Sequence, residues 1–330
     1  MKSSRNIIFL FIVVTGLLAC RKDKPILNHS STNNNEWLDT LVCMDYPDSI
    51  YIYSHAWGRY QYRTPYFNPN NSNEFIYSYY DYEDNIQQLI KYNLVTKQKL
   101  ILANLGVYKQ PKWGRNGWIA FSNLHHVHVI RENGSGYRQV TNQDQNISPF
   151  WHGDNLYWLN TNPSGPSFTV RQNINNPSID TVTEELGFIN NAVLNDVILV
   201  KGGSYSFNGT PLFNPSNFTS ISGWPNNSIN GLTWHPSGEF FYTSHFFGDN
   251  KDERGLFKIT LSGQSERIME YCQSKRYSNI SCSSDGKYII GERTARSLEQ
   301  YDPYSGRLIQ NSTIWLINTE TMEETKIDLE

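Results

Sequence analysis

Among the eight histidines of the chain, four are spaced so that one metal ion could gather them. His125, His126 and His128 follow one another closely, and His245 ends a strand-like run, Thr243-Ser244-His245, at the matching place in a later repeat. Neutral imidazoles beside a carboxylate can hold Mn or Zn and activate water or polarise a substrate oxygen. The competing account makes His128 an ordinary strand residue, alternating with Val127 and Val129, and makes His125 and His126 loop polars. We take the second account, and expect no metal ligand, no cofactor and no catalytic residue. His152 and His235 lie inside tight turns and are read as structural.

Nucleophile chemistry has even less to stand on. No GxSxG elbow occurs, and Gly203-Ser204 lacks its frame. Tyr77, Tyr79, Tyr80 and Tyr82 cluster, and tyrosine rings stack on sugar faces or anchor protein interfaces. Two long charged stretches, Phe246–Gly255 and Arg293–Arg307, read as loops, and loops on a rigid scaffold are where binding usually resides. The expected binding rim is therefore Tyr79, Tyr80, His125, His126, His245, Asp249, Arg254, Arg293 and Arg296.

The elements that must position these residues repeat. Asn68-Pro69-Asn70-Asn71, Gly114-Arg115-Asn116-Gly117, His152-Gly153-Asp154-Asn155, Leu194-Asn195-Asp196, His235-Pro236-Ser237-Gly238 and Ser283-Ser284-Asp285-Gly286 each cut a short apolar run and precede a β-rich one. From Asn70 to Asp285 the steps are 46, 38, 41, 42 and 48 residues. Strand–turn–strand content at a period near 40 is the mark of a propeller blade. Within a repeat the grammar continues. Val127–Ile130 turns at Asn133-Gly134-Ser135-Gly136, and Leu256–Ile259 turns at Ser262-Gly263. No stretch has a sustained helical period with caps. The fold class is all-β: a six-bladed propeller of four-stranded antiparallel blades. Ser49–Ser54 alternates like a strand and is expected to pair with the last blade and close the ring. A seventh blade from Trp37–Tyr60 is the alternative.

Trp234-His235-Pro236-Ser237-Gly238 and Ser283-Ser284-Asp285-Gly286-Lys287-Tyr288-Ile289 resemble the W-S-P-D-G repeat of TolB-type propellers. Phe67–Asn70 and Pro111–Gly117 are looser copies, and the fourth repeat, at Asn195-Asp196, has neither Pro nor Gly. The resemblance runs from about Tyr60 to the C-terminus. It implies the fold strongly and a role weakly, because such propellers serve translocation scaffolds, peptidase gating domains and polysaccharide lyases. Lyases of this kind acting on uronate oligomers use a histidine-rich funnel, so the resemblance also implies an alternative: metal-assisted elimination at His125, His126, His128 and His245. A sugar-binding module without turnover is a further alternative. No hydrolase domain is expected after the sixth repeat, which argues against a peptidase.

Residues 1–19 read as a signal peptide, with Lys2 and Arg5 before an apolar stretch too short to span a bilayer. Leu17-Leu18-Ala19-Cys20 resembles a bacterial lipobox, which implies that Cys20 is lipidated. Two or three acyl chains hold a protein on a membrane where one does not. Residues 20–36 read as a flexible tether and 37–330 as the propeller. Loss of Lys2 and Arg5 takes the formal charge from −3 to −5, which argues against nucleic acid. Three further cysteines remain: Cys43, Cys272 and Cys282. Single buried thiols are expected, with a bond from Cys43 to a final-blade cysteine as the alternative. Asp39-Thr40-Leu41, Asp48-Ser49-Ile50 and Asp180-Thr181-Val182 resemble O-glycosylation acceptors of Bacteroidota and imply that origin. The expectation is thus a lipid-anchored module of the cell envelope, on the outer membrane, binding an envelope protein or peptide without catalysis.

Overall fold

The computed structural model describes residues 56–104, 109–142, 145–161, 167–176, 178–184, 191–200, 202–207, 218–224, 229–246, 251–272, 275–301 and 308–330. Six antiparallel sheets account for nearly all of them. The first blade holds β2 (Tyr60–Asn68), β3 (Asn71–Asp81), β4 (Ile86–Asn93) and β5 (Lys99–Ala103), after a short β1 (Ala56–Trp57). The second holds β6 (Lys109–Trp113), β7 (Trp118–Asn123), β8 (His126–Arg131) and β9 (Arg138–Gln139). The third holds β10 (Gln145–His152), β11 (Asn155–Thr161), β12 (Phe168–Asn173) and β13 (Ile179–Glu184). The fourth is β14 (Ala192–Leu194), β15 (Val197–Val200), β16 (Gly203–Ser206) and β17 (Phe218–Ser220). The fifth is β18 (Ile229–Trp234), β19 (Phe240–His245), β20 (Gly255–Thr260) and β21 (Ser265–Glu270). The sixth is β22 (Tyr277–Cys282), β23 (Tyr288–Tyr301), β24 (Leu308–Asn318) and β25 (Glu324–Lys326). The first strand of each blade packs on that of the next, and β22 returns to β2, so six blades close a ring. No helix among the described residues is long and apolar enough to cross a membrane.

All six repeated turns join the first and second strands of a blade. Four need a left-handed residue and take glycine there: Gly117, Gly153, Gly238 and Gly286, with φ between 56° and 77°. The fourth blade uses Asn195 instead, at φ 51°. Asparagine tolerates this region better than other side chains, so the turn closes without glycine. The turns also hold neighbours together. Asn70 donates to the Arg115 carbonyl at 3.0 Å and Asn116 to that of Gly153 at 3.3 Å.

Between blades the apolar faces meet in clusters, such as Ile76, Leu89, Trp113, Ile119 and Phe121 between the first and second. A second device ties the inner strands. Trp151 donates its indole N–H to the Lys112 carbonyl of the preceding blade at 3.1 Å. Trp234 does the same to Ala192 at 3.2 Å. Elsewhere a hydroxyl stands in: Ser281 accepts from Phe67 N, and Thr233 from Cys282 N.

Closure of the ring falls on the sixth blade. β1 pairs in parallel with β24, Ala56 opposite Ile309 and Trp57 opposite Gln310. The expected closing strand, Ser49–Ser54, lies outside the described residues, as do the signal peptide, Cys20, the tether and Cys43. Glu292, 2% exposed, accepts from Arg63, the Thr64 N–H, Asn279 and Ser312, joining blades one and six. A buried carboxylate is tolerated only when its acceptor sites are filled in this way. Ile327 and Leu329 cover the same junction. Cys272 is disulfide-bonded, with its partner outside the described residues, while Cys282 is a free thiol.

One expected loop is not a loop. Arg293–Arg307 was read as irregular, but β23 continues through Tyr301 and pairs with β24 as a long hairpin, leaving only 302–307 outside the described residues. Alternation across Arg293-Thr294-Ala295-Arg296 is compatible with a strand, and its charges concealed that.

Candidate functional site in the central cavity

A cavity of about 380 Å³ lies on the ring axis, walled by the first strands and the repeated turns of all six blades. Its wall alternates from blade to blade at one inner-strand position: Tyr66, Lys112, Phe150, Ala192, Thr233 and Ser281. Five of these are uncharged. The second blade places a lysine there.

Lys112 lies over the Tyr66 ring, with Nζ 4.7 Å from the centroid. Its ammonium donates to the Asn191 carbonyl at 3.4 Å, toward the fourth blade. No carboxylate pairs with it among the described residues. Lys112 is half-buried in the cavity wall, and burial lowers its pKa from 10.5 to about 8. Arg115, in the adjoining turn, is exposed at the mouth and has no ion pair among the described residues.

Several other polar groups of the wall are already engaged. His152 Nε2 meets Asp196 Oδ1 at 3.0 Å, and its ring stacks on Phe207 at 3.9 Å. The Ser281 and Thr233 hydroxyls accept the inter-blade bonds given above. Ser283 Oγ donates to Asp285 at 2.7 Å and accepts from Tyr288 N. Cys282 is pushed up to about 12, first by burial and then by the nearby Asp285 charge. A thiol held neutral in this way is a poor nucleophile. Trp113, 2% exposed, has no acceptor for its indole N–H among the described residues, unlike its counterparts Trp151 and Trp234. Lys112 and Arg115 thus stand in the wall as two cations without a carboxylate partner among the described residues, beside the rings of Tyr66, Phe150 and Trp151.

None of the residues of the expected rim lines this cavity. Tyr80 is buried and stacks on Tyr82, and Tyr79 packs against Tyr60 and Tyr62. These tyrosines belong to β3, the second strand, whose far end is remote from the repeated turns. His125 is exposed in the tight β7–β8 turn, with φ 69°, and His126 opens β8. His128 stacks between Phe121 and Tyr137 and bonds the Tyr137 hydroxyl at 2.9 Å; its pKa falls, mainly through burial. His245 is fully buried, with Nε2 2.8 Å from Thr243 Oγ1 and its ring edge-on to Phe257. His128 and His245 therefore point into sheet packing, and no group of three metal-binding side chains exists among the described residues. The converging imidazole cluster needed for metal-assisted elimination is not formed. Arg254 lies 5.5 Å from the Phe246 ring, and Arg293 is buried with its guanidinium over Trp315 at 4.6 Å. Arg296 sits within β23, opposite Gln310, and Asp249 lies outside the described residues.

Sequence reasoning missed Lys112, Arg115, His152 and Asp196 because it assigned the repeated turns a purely structural role. One signal was present. Aligned on the residue two before each strand end or turn, the repeats offer a single charged side chain at the inner-strand position, Lys112.

No protein-family model and no curated protein sequence matches the chain. Solved structures do. A gluconolactonase from Xanthomonas campestris superposes with a TM-score of 0.53 at 8% identity, over 72% of this chain and 84% of that one. TolB from Acinetobacter baumannii gives 0.46 at 11% identity, over 81% and 67%. An oligogalacturonate lyase from Vibrio parahaemolyticus gives 0.46 at 12% identity, over 82% and 77%. At such identities the likeness is one of fold alone. By its own closed ring of six sheets, each built on a four-stranded blade, the chain is a six-bladed β-propeller.

Proposed function

We infer that this propeller is a recognition module, held to the cell envelope through a lipidated Cys20, that receives part of a partner protein in its central cavity. The observation that carries the reading is the cavity itself. All six blades contribute to its wall, the Thr233, Ser281 and Ser283 hydroxyls take part in hydrogen bonds of the scaffold, and the Cys282 thiol is held neutral. A concave, partly apolar site with a few free polar groups is what ligand recognition requires. The lipobox supports an envelope setting, on the outer membrane, and the triplets at Asp39, Asp48 and Asp180 support a bacterium of the Bacteroidota. A cavity of this size admits a few side chains of a partner, with the surrounding turns as the wider contact.

The test is affinity capture of the full chain from its native envelope under crosslinking, compared with a C20A form. Co-purification of a defined envelope protein with the wild-type chain, and its loss from membranes with C20A, is the expected outcome. Recovery of the chain alone from intact envelopes would overturn the reading.

A further inference from the structure

We propose that the central cavity is a carboxylate site, with Lys112 as its anchor and Arg115 as its gate; this rests on the cavity being the binding site. The fixed charges of the wall are unequal. Lys112 and Arg115 face one carboxylate, Asp196, and that one is paired with His152. Cys282 stays neutral, so Asp196 is the one carboxylate among the residues that line the cavity. The imbalance sits on a chain whose formal net charge is −3, so the cavity is a local positive well in an acidic molecule. Clefts with walls of low dielectric focus such a field and draw in the opposite charge.

The position of Lys112 sharpens the case. An ammonium taken out of water without a counter-ion costs several kcal/mol, and sequences normally avoid it. Here it is held over one tyrosine ring and one carbonyl, both weak substitutes for an anion. Its backbone carbonyl is fixed by Trp151, so the strand cannot turn the side chain outward. An entering carboxylate would supply the missing counter-charge between two cations at different depths. The deep one is a point charge with rotatable donors; the outer one offers a planar fork suited to a carboxylate. Beside the lysine in the wall are the rings of Tyr66, Phe150 and Trp151, which would accept the methylene stem of an acidic side chain.

Two sources fit that chemistry: an acidic segment of a protein and a small free carboxylate. Calorimetry on the full chain at pH 7 uses an end-blocked tetraglutamate peptide, glutarate, and an end-blocked tetralysine peptide. Saturable binding of at least one acidic probe, none of tetralysine, and a tenfold or greater weakening in K112M are expected. K112R should keep most of the affinity, and R115A should lose part of it with a shallower salt dependence. Tighter binding of tetraglutamate assigns the site to an acidic protein segment; tighter binding of glutarate assigns it to a small carboxylate. K112M must melt no lower than wild type, so that lost binding is not lost fold. Failure of both acidic probes at millimolar concentration, or equal binding by K112M, would overturn the proposal. A K112M chain that still captures the wild-type partner would remove the carboxylate inference and leave the recognition module standing.

Discussion

Lys112 carries a cost that the folded molecule does not need for its own stability. Its folded pKa lies below that of the unfolded chain, so the fold binds fewer protons at this position between the two values. Stability therefore rises with pH across the window from about 8 to 10.5, and the penalty is fully present below it. Tyrosines act in the opposite sense. Burial raises Tyr66 and Tyr80 to about 12, so their contribution is lost as pH climbs above 10. The contribution of Lys112 is isolated by the difference between wild type and K112M. We expect K112M to melt higher than wild type at pH 7 and the gap to shrink toward zero by pH 10.5, in paired calorimetric scans. A K112M chain that melts lower at pH 7 would mean that the lysine is structural. A stabilising change that abolishes binding is the usual trade at a functional site.

Elements explain why the lysine is held. Inner strands are joined by side chains reaching to the preceding blade, and the indole bonds of Trp151 and Trp234 are two such ties. Trp113 occupies the same place without the bond. A net hydrogen bond is worth about 1 kcal/mol. W151F and W234F should each cost about 1 kcal/mol more than W113F in denaturant unfolding, because all three lose similar volume but only two lose an acceptor. Equal costs would show that packing alone joins the blades. The elements were legible in the sequence for a clear reason. Five of the six turns carry a left-handed residue, and Gly117, Gly153, Gly238, Gly286 and Asn195 advertise it. The hairpin β23–β24 was not legible, because Arg293 and Arg296 look like loop charges when the Trp315 ring that covers Arg293 is unseen. His128 is the ordinary strand residue that its alternation with Val127 and Val129 implies. His128 and His245 face aromatic neighbours that only the closed sheet supplies.

At the scale of the whole molecule, ring closure decides which residues of the turns come together. The repeated turn reads locally as a hairpin, and locally it is one. Only when six copies surround an axis do Arg115, His152, Asp196 and the turn backbones become the mouth of a cavity. No property of a single repeat reports this, which is why the sequence pointed to the opposite end. The chain also enters the ring far from that mouth. β1 pairs with β24 near Leu308, while the other end of β24 reaches Thr319, which bonds Gly286 of the sixth repeated turn. The lengthened hairpin and the incoming chain thus share one end of the propeller, and the cavity opens at the other.

The most direct test places a photo-crosslinking residue at each end in turn. One chain carries it in place of Arg115, at the mouth; a second carries it in place of Leu124, which is 68% exposed in the β7–β8 turn. Illumination in the native envelope, followed by analysis of the adducts, shows which end meets the partner. The account predicts a strong adduct from position 115 and little or none from position 124. A strong adduct from position 124 with none from position 115 would contradict it, and would return the function to the opposite rim.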